Sequence, residues 1–163
     1  MNSFQRCASI LVLGLVAVFV QSTVLKTALP PVVIPNFLVI FLVFLAFYET
    51  SLTGVLTAFL LGLEFDLHGG ILLGPWAGSF VAVYCALASL SQRIFVDSLL
   101  AAFTVVLFSS FFSSFIFVVL VFNFQPVDLS LLYTASIEAL LNAILAAPLL
   151  SILRKYLVRR ERR

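Results

Sequence analysis

The sequence predicts an all-α, polytopic membrane protein built as a bundle of six transmembrane helices. Three observations lead there. Of the 163 residues, 63% are hydrophobic and only 10% are charged, and the mean hydropathy is +1.24. A water-soluble domain is nearer half apolar and a quarter charged, and so short a chain cannot hide this much apolar surface in its own interior. The apolar residues run continuously, without the alternation of a transmembrane β-barrel. The basic charge gathers at one end: six of the nine basic residues, Arg154, Lys155, Arg159, Arg160, Arg162 and Arg163, close the chain.

The expected helices cover residues 8–25, 32–48, 52–67, 71–90, 98–122 and 129–153 in a single membrane domain, 1–153, followed by a basic cytoplasmic tail, 154–163. The first run follows a short polar start carrying Arg6. One positive charge before an apolar core also describes a secretory signal. Here the remaining runs are membrane-embedded too and no small-x-small site follows, so a retained helix is expected. Pro30, Pro31 and Pro35 disfavour continuous helix in the connection that comes next. The second and third runs are short against the roughly 20 residues of a full crossing. They form either a re-entrant hairpin or two short spanning helices turned at Glu49-Thr50-Ser51; the second arrangement is the expectation.

Six crossings place both termini on one side, and the positive-inside rule makes that side the cytoplasm. Arg6, Arg93 and the basic tail then lie inside, with Lys26, Asp66, His68 and Asp128 outside. No loop is long enough to be a domain. The tail fixes topology and meets anionic lipid headgroups.

The stretch Gly54–Gly74 organises the rest. Gly54, Ala58, Gly62 and Asp66 are four apart, so on a helix they form one stripe of small residues ending in an acid. In lipid such a stripe admits another helix closely. Asp66 stands where the apolar run stops and is placed to hydrogen-bond the following turn. Gly69-Gly70 break the helix, and Gly74-Pro75 suit the first turn of the next. Glu64 lies roughly 160° from Asp66 around the helix, so the two are not an acid–base pair. Glu64 is a possible intramembrane polar site, or it snorkels to water from near the outer end.

In the fifth helix, Phe108, Phe111, Phe112 and Phe115 share one face and Ser109, Ser110, Ser113 and Ser114 the other. The serines suit helix packing and hydrogen bonding, or a polar pathway; the phenylalanines suit lipid or a partner helix. In the sixth, Glu138 and Asn142 are one turn apart in a stripe with Ala135, Ala139 and Ala146. They serve as structural glue or handle a ligand or proton. Pro148 is expected to kink that helix. Cys7 and Cys85 are read as buried thiols. The single histidine, His68, does not make a metal site with Asp66 alone. No phosphate-binding loop, dinucleotide fingerprint or nucleophile beside a base is present, so neither a catalytic residue, a cofactor nor a metal is assigned.

The order Gly54, Gly62, Asp66, Gly70, Gly74, with Pro35-Asn36 leading into the second helix and Asn142, Pro148 and Arg154-Lys155 in the last, resembles the MreD family of bacterial rod shape-determining proteins. The likeness covers nearly the whole chain. Glu64 departs from it, standing where the family is usually apolar, and so inherits no role; Gly69 replaces what is often a small polar residue. The resemblance implies a non-enzymatic inner-membrane component of the cell-elongation machinery. It implies direct binding to MreC, a single-span protein, and work with MreB, RodA and a class B transpeptidase in lateral peptidoglycan synthesis, without nucleic acid. It also implies a fold like the substrate-binding S-components of energy-coupling-factor vitamin transporters. A vitamin-binding S-component is accordingly the rival reading, with Glu64, Asp66, His68, Glu138 and Asn142 as its ligand candidates. A passive membrane anchor for another envelope enzyme is a third.

Overall fold

A helix that is apolar around its whole circumference has no face to turn outward and belongs at the centre of a bundle. The second run behaves in this way. The structure, a computed structural model, describes residues 3–28, 30, 33–69, 72–92, 98–122 and 130–158. Among these residues six helices account for the fold. They are α1 (Ser3–Phe19, continuing as a π-helical segment Val20–Leu25 and a last turn Lys26–Ala28), α2 (Phe37–Tyr48), α3 (Leu52–Gly69), α4 (Pro75–Ser91), α5 (Leu99–Phe122) and α6 (Ser130–Leu153, ending in a π-helical turn Arg154–Val158).

Every residue of α2 from Leu38 to Ala46 is buried, and α2 touches each of the other five helices. Those five stand around it in the order α1, α3, α4, α5, α6, each packed extensively on the next. Among the described residues α1 and α6 make no comparable contact, which leaves a seam between them. Around the outside the large apolar side chains stay exposed, among them Leu15 and Phe19 on α1, Phe108 and Phe115 on α5 and Ile144 on α6. An apolar exterior of this extent is what lipid as solvent requires.

Three stretches, Phe4–Ala28, Leu99–Val121 and Tyr133–Leu157, are long and apolar enough to cross a membrane. The twelve residues of α2 rise only about 18 Å, well short of the ~30 Å hydrocarbon core. The chain is a helical membrane protein in which a short helix is encased by longer ones.

Helix ends differ from expectation where local chemistry decides them. α1 begins at Ser3 and runs on past residue 25. α2 starts at Phe37, five residues after the expected 32. Asn36 is extended there (φ −96°, ψ 90°), and its side-chain oxygen accepts the Leu38 N–H as an N-cap. α4 starts at Pro75 rather than residue 71 because Gly74 turns into the left-handed region at φ +112°, a conformation that favours glycine. α6 continues through Pro148. The expected tail begins as helix: Arg154–Val158 prolong α6, with Leu157 buried. Gly70, Arg93, Asp128, Arg159, Arg160, Arg162 and Arg163 lie outside the described residues.

Candidate functional site

The small-residue stripe of α3 faces α4 along its whole length. A Cβ at Gly54 would run into the Tyr84 hydroxyl and the Glu49 carbonyl oxygen. Ala58 is fully buried. A Cβ at Gly62 would lie 2.5 Å from Ala77 Cα and 2.7 Å from both Ala77 N and Trp76 O, so the two backbones nearly touch. One turn further, the Asp66 carboxyl reaches the start of α4. Its Oδ2 accepts from Gly74 N at 2.9 Å and Ala77 N at 3.1 Å, and Oδ1 accepts from Trp76 N at 3.1 Å. Pro75 has no N–H, so every orphan amide at this helix start is satisfied by one side chain. Trp76, the only tryptophan, stacks on Phe117 at 4.3 Å and meets Phe65 edge-on at 4.9 Å.

The serine face of α5 turns inward and the phenylalanine face outward. Ser109, Ser110 and Ser113 are buried and Ser114 is half-buried, whereas Phe108, Phe111, Phe112 and Phe115 are exposed. Ser79 of α4 donates to the Ser113 carbonyl (2.9 Å) and pairs with its hydroxyl (2.8 Å). Asn142 joins three helices. Its Oδ1 accepts the Asn36 backbone N–H at 2.7 Å and its Nδ2 donates to Ser110 Oγ at 3.1 Å. Both amide ends of Asn142 are thus taken up across the bundle. Glu138, one turn away, faces the side-chain amides of Asn36 and Asn142.

Two cavities adjoin Glu138. One, about 210 Å³, sits at the open seam between α1 and α6, above the start of α2. It is lined by Gln21 and Lys26 of α1, Pro35 and Asn36, Phe65 and His68 of α3, and Glu138 of α6. The other, about 200 Å³, lies against the phenylalanine face and is lined by Trp76, Phe111, Ser114, Phe115, Phe117 and Ser136 among others. Glu64 is half-buried. It turns toward α1, where Gly14 makes room, and its Oε2 is buried without a hydrogen-bond partner. His68 Nδ1 pairs with the Glu64 carbonyl at 2.9 Å.

Sequence reasoning missed two features. Arg6 and Glu49 form an ion pair at 3.8 Å, 11% and 7% exposed, and Arg6 Nη1 also donates to the Tyr48 carbonyl at 3.1 Å. Ser51 Oγ donates to Glu49 Oε1 at 2.7 Å, and the Tyr84 hydroxyl donates to the Glu49 carbonyl. The available signal was the turn at Glu49-Thr50-Ser51, which two crossings return to the side that carries Arg6. Gln21 is the second. It is buried in the π-helical part of α1 and donates through Nε2 to the Pro35 carbonyl at 2.5 Å; a glutamine deep in an apolar run was its signal. One expectation is corrected: Cys7 is buried, but Cys85 lies on the exposed side of α4. Asp66, Gly54, Ala58, Gly62 and Gly74 converge at the α3–α4 contact. Glu138, Asn142 and Ser110 converge elsewhere, and Glu64 joins neither group.

Among curated proteins and among solved structures no match is found. A family model described as rod shape-determining protein MreD matches residues 1–160, nearly the full chain and every helix of the bundle. The chain belongs to the MreD family, whose members are membrane proteins that determine rod shape.

Proposed function

We propose that this chain is a non-enzymatic scaffold of the bacterial inner membrane that binds MreC. Through MreC it helps organise lateral peptidoglycan synthesis with MreB, RodA and a class B transpeptidase. The family match over residues 1–160 is the observation that carries this reading, and it favours elongation over vitamin uptake. The structure is compatible in physical terms. A chain that exposes apolar helix faces acts on partners within the membrane. The phenylalanine face of α5 and the groove beside it, lined by Phe111, Ser114 and Phe115, suit the single helix of MreC. Arg6 lies at the same end of the bundle as Arg154 and Lys155, opposite Lys26, which supports cytoplasmic termini by the positive-inside rule. The basic end then meets anionic headgroups.

The test is photocrosslinking in native membranes, with the probe at Phe111 or Phe115 and controls at Val12 and Phe19 on α1. Adducts with MreC from the α5 positions, and not from α1, support the reading. An ATPase pair with its membrane coupling subunit, and no MreC, overturns it in favour of vitamin transport. For orientation, a cysteine replacing Lys26 should react with an impermeant reagent from outside, and one replacing Lys155 should not.

A further inference from the structure

The seam cavity presents a buried hydrogen-bonding atom that the protein itself leaves unused. Gln21 is 5% exposed and Asn36 3% exposed. The orientation of both amides is fixed by backbone partners. Gln21 Nε2 donates to the Pro35 carbonyl, so Oε1 is the free acceptor. Asn36 Oδ1 accepts from Leu38 N, which leaves Nδ2 facing the Glu138 carboxyl. Gln21 Oε1 has no hydrogen-bond partner, and both residues line the cavity. Such atoms are rare inside proteins and demand an occupant. The Glu138 carboxyl adds acceptors to the same wall, while exposed Lys26 and His68 stand at the rim. α1 is deformed here: Gln21 belongs to the π-helical segment, and its carbonyl accepts from Lys26 N–H. Local π-helix in an otherwise α-helical span is frequent at functional sites.

The chemistry of the occupant follows from this layout. Inside are acceptors, Gln21 Oε1 and Glu138, the latter held by the side-chain amides of Asn36 and Asn142. At the rim, five residues or about 7.5 Å further along α1, is the Lys26 ammonium. The walls between are Val18, Ile34 and Phe65. The volume of about 210 Å³ equals that of roughly seven waters, enough for a compact headgroup. Among the described residues α1 and α6 make no extensive contact beside the cavity. We propose that this seam binds an ammonium–phosphate zwitterion, the ethanolamine headgroup of a membrane phospholipid. Gln21 and Glu138 accept from its N–H groups, Lys26 holds its phosphate, and its acyl chains leave through the seam. The proposal goes beyond the scaffold role and is independent of which face MreC occupies.

The test uses the full-length protein purified in mild detergent, delipidated, and returned to nanodiscs of phosphatidylglycerol mixed with either phosphatidylethanolamine or phosphatidylcholine. Native mass spectrometry after extraction counts retained lipid. One phosphatidylethanolamine should be retained in preference to phosphatidylcholine, whose methylated ammonium has no N–H to donate. Glu138→Gln and the rim variant Lys26→Met should each weaken retention by about tenfold, the scale of one charge-assisted hydrogen bond. Phe108→Leu, on the far exposed face, should not. Lys26→Met touches no packed residue, so loss of folding does not obscure its result. Thermal protection of the delipidated protein by free phosphoethanolamine, with no lipid retained, supports the site with a soluble zwitterion as the source. Equal retention of all three lipids, or retention unchanged in both variants, leaves water as the occupant and overturns the proposal.

Discussion

Replacing Gly62 with alanine adds one methyl group where α3 and α4 come closest. The new Cβ would lie 2.5 Å from Ala77 Cα, whereas ordinary carbon contacts are about 3.5–4.0 Å. The contacting atoms are backbone, so no side chain can swing aside, and the helices must separate by about 1 Å. The Asp66 carboxyl is one turn away and bridges the same two helices. Its bond to Ala77 N, now 3.1 Å, would stretch toward 4 Å and cease to be a hydrogen bond. Overpacking contributes about 1–3 kcal/mol, and an amide stranded without a partner about 1–3 kcal/mol more. Gly62→Ala should therefore destabilise the bundle by about 2–6 kcal/mol. Denaturant-induced unfolding in mixed micelles reads this directly. Trp76 emission follows the local change, because the only tryptophan sits at the point of contact. Asp66→Ala should be partly redundant with Gly62→Ala, giving a double variant less unstable than the sum by roughly 1 kcal/mol or more. A Gly62→Ala protein within about 0.5 kcal/mol of the parent, with unchanged Trp76 emission, would refute the close-contact argument.

Three further outcomes are expected. Asn142→Leu leaves the Asn36 N–H and the Ser110 hydroxyl without their partner; it should lower stability by about 1–3 kcal/mol, and Asn142→Asp, which keeps the acceptor, should recover part of the loss. Arg6→Ala abandons a buried Glu49 and should cost about 3–5 kcal/mol, while Arg6→Met with Glu49→Gln should cost clearly less; thermal unfolding of the three proteins separates these cases. Gly54→Ala should be destabilising because its Cβ meets both the Tyr84 hydroxyl and the Glu49 carbonyl oxygen. Tyr84→Phe removes the first of these and leaves the second, so the double variant should recover part of the loss relative to the two single losses added together, as an unfolding cycle would measure.

What the sequence made legible was periodic. Four-residue spacing put Gly54, Ala58, Gly62 and Asp66 on one face of α3, and an alternating pair pattern separated the serines from the phenylalanines of α5. Both are properties of a single helix, readable before any partner is known. The short second run left two arrangements open, and its central burial is seen only in the bundle. What stayed hidden needed the third dimension. That Asp66 bonds the following turn was legible, but not that its carboxyl takes up three amides of a helix start nine residues later. Arg6 and Glu49 pair in the bundle, yet nothing local joins residues 43 positions apart. Gln21 reaches Pro35 only because α1 widens to a π-helical segment there, and no periodic signal announces such a change.

The bond between Asn36 and Asn142 spans 106 positions in the chain and so bears on the order in which the protein can be built. During synthesis the second helix emerges early, too short to cross alone and with the Asn36 backbone N–H lacking its acceptor. In hydrocarbon an unpaired backbone group is strongly disfavoured. The acceptor arrives with the last helix. The innermost element is therefore among the last to be secured, and a nascent chain stopped before Asn142 holds its core helix incompletely bonded. A quality-control protease of the membrane would have in that unfinished helix start a way to tell a truncated chain from a complete one.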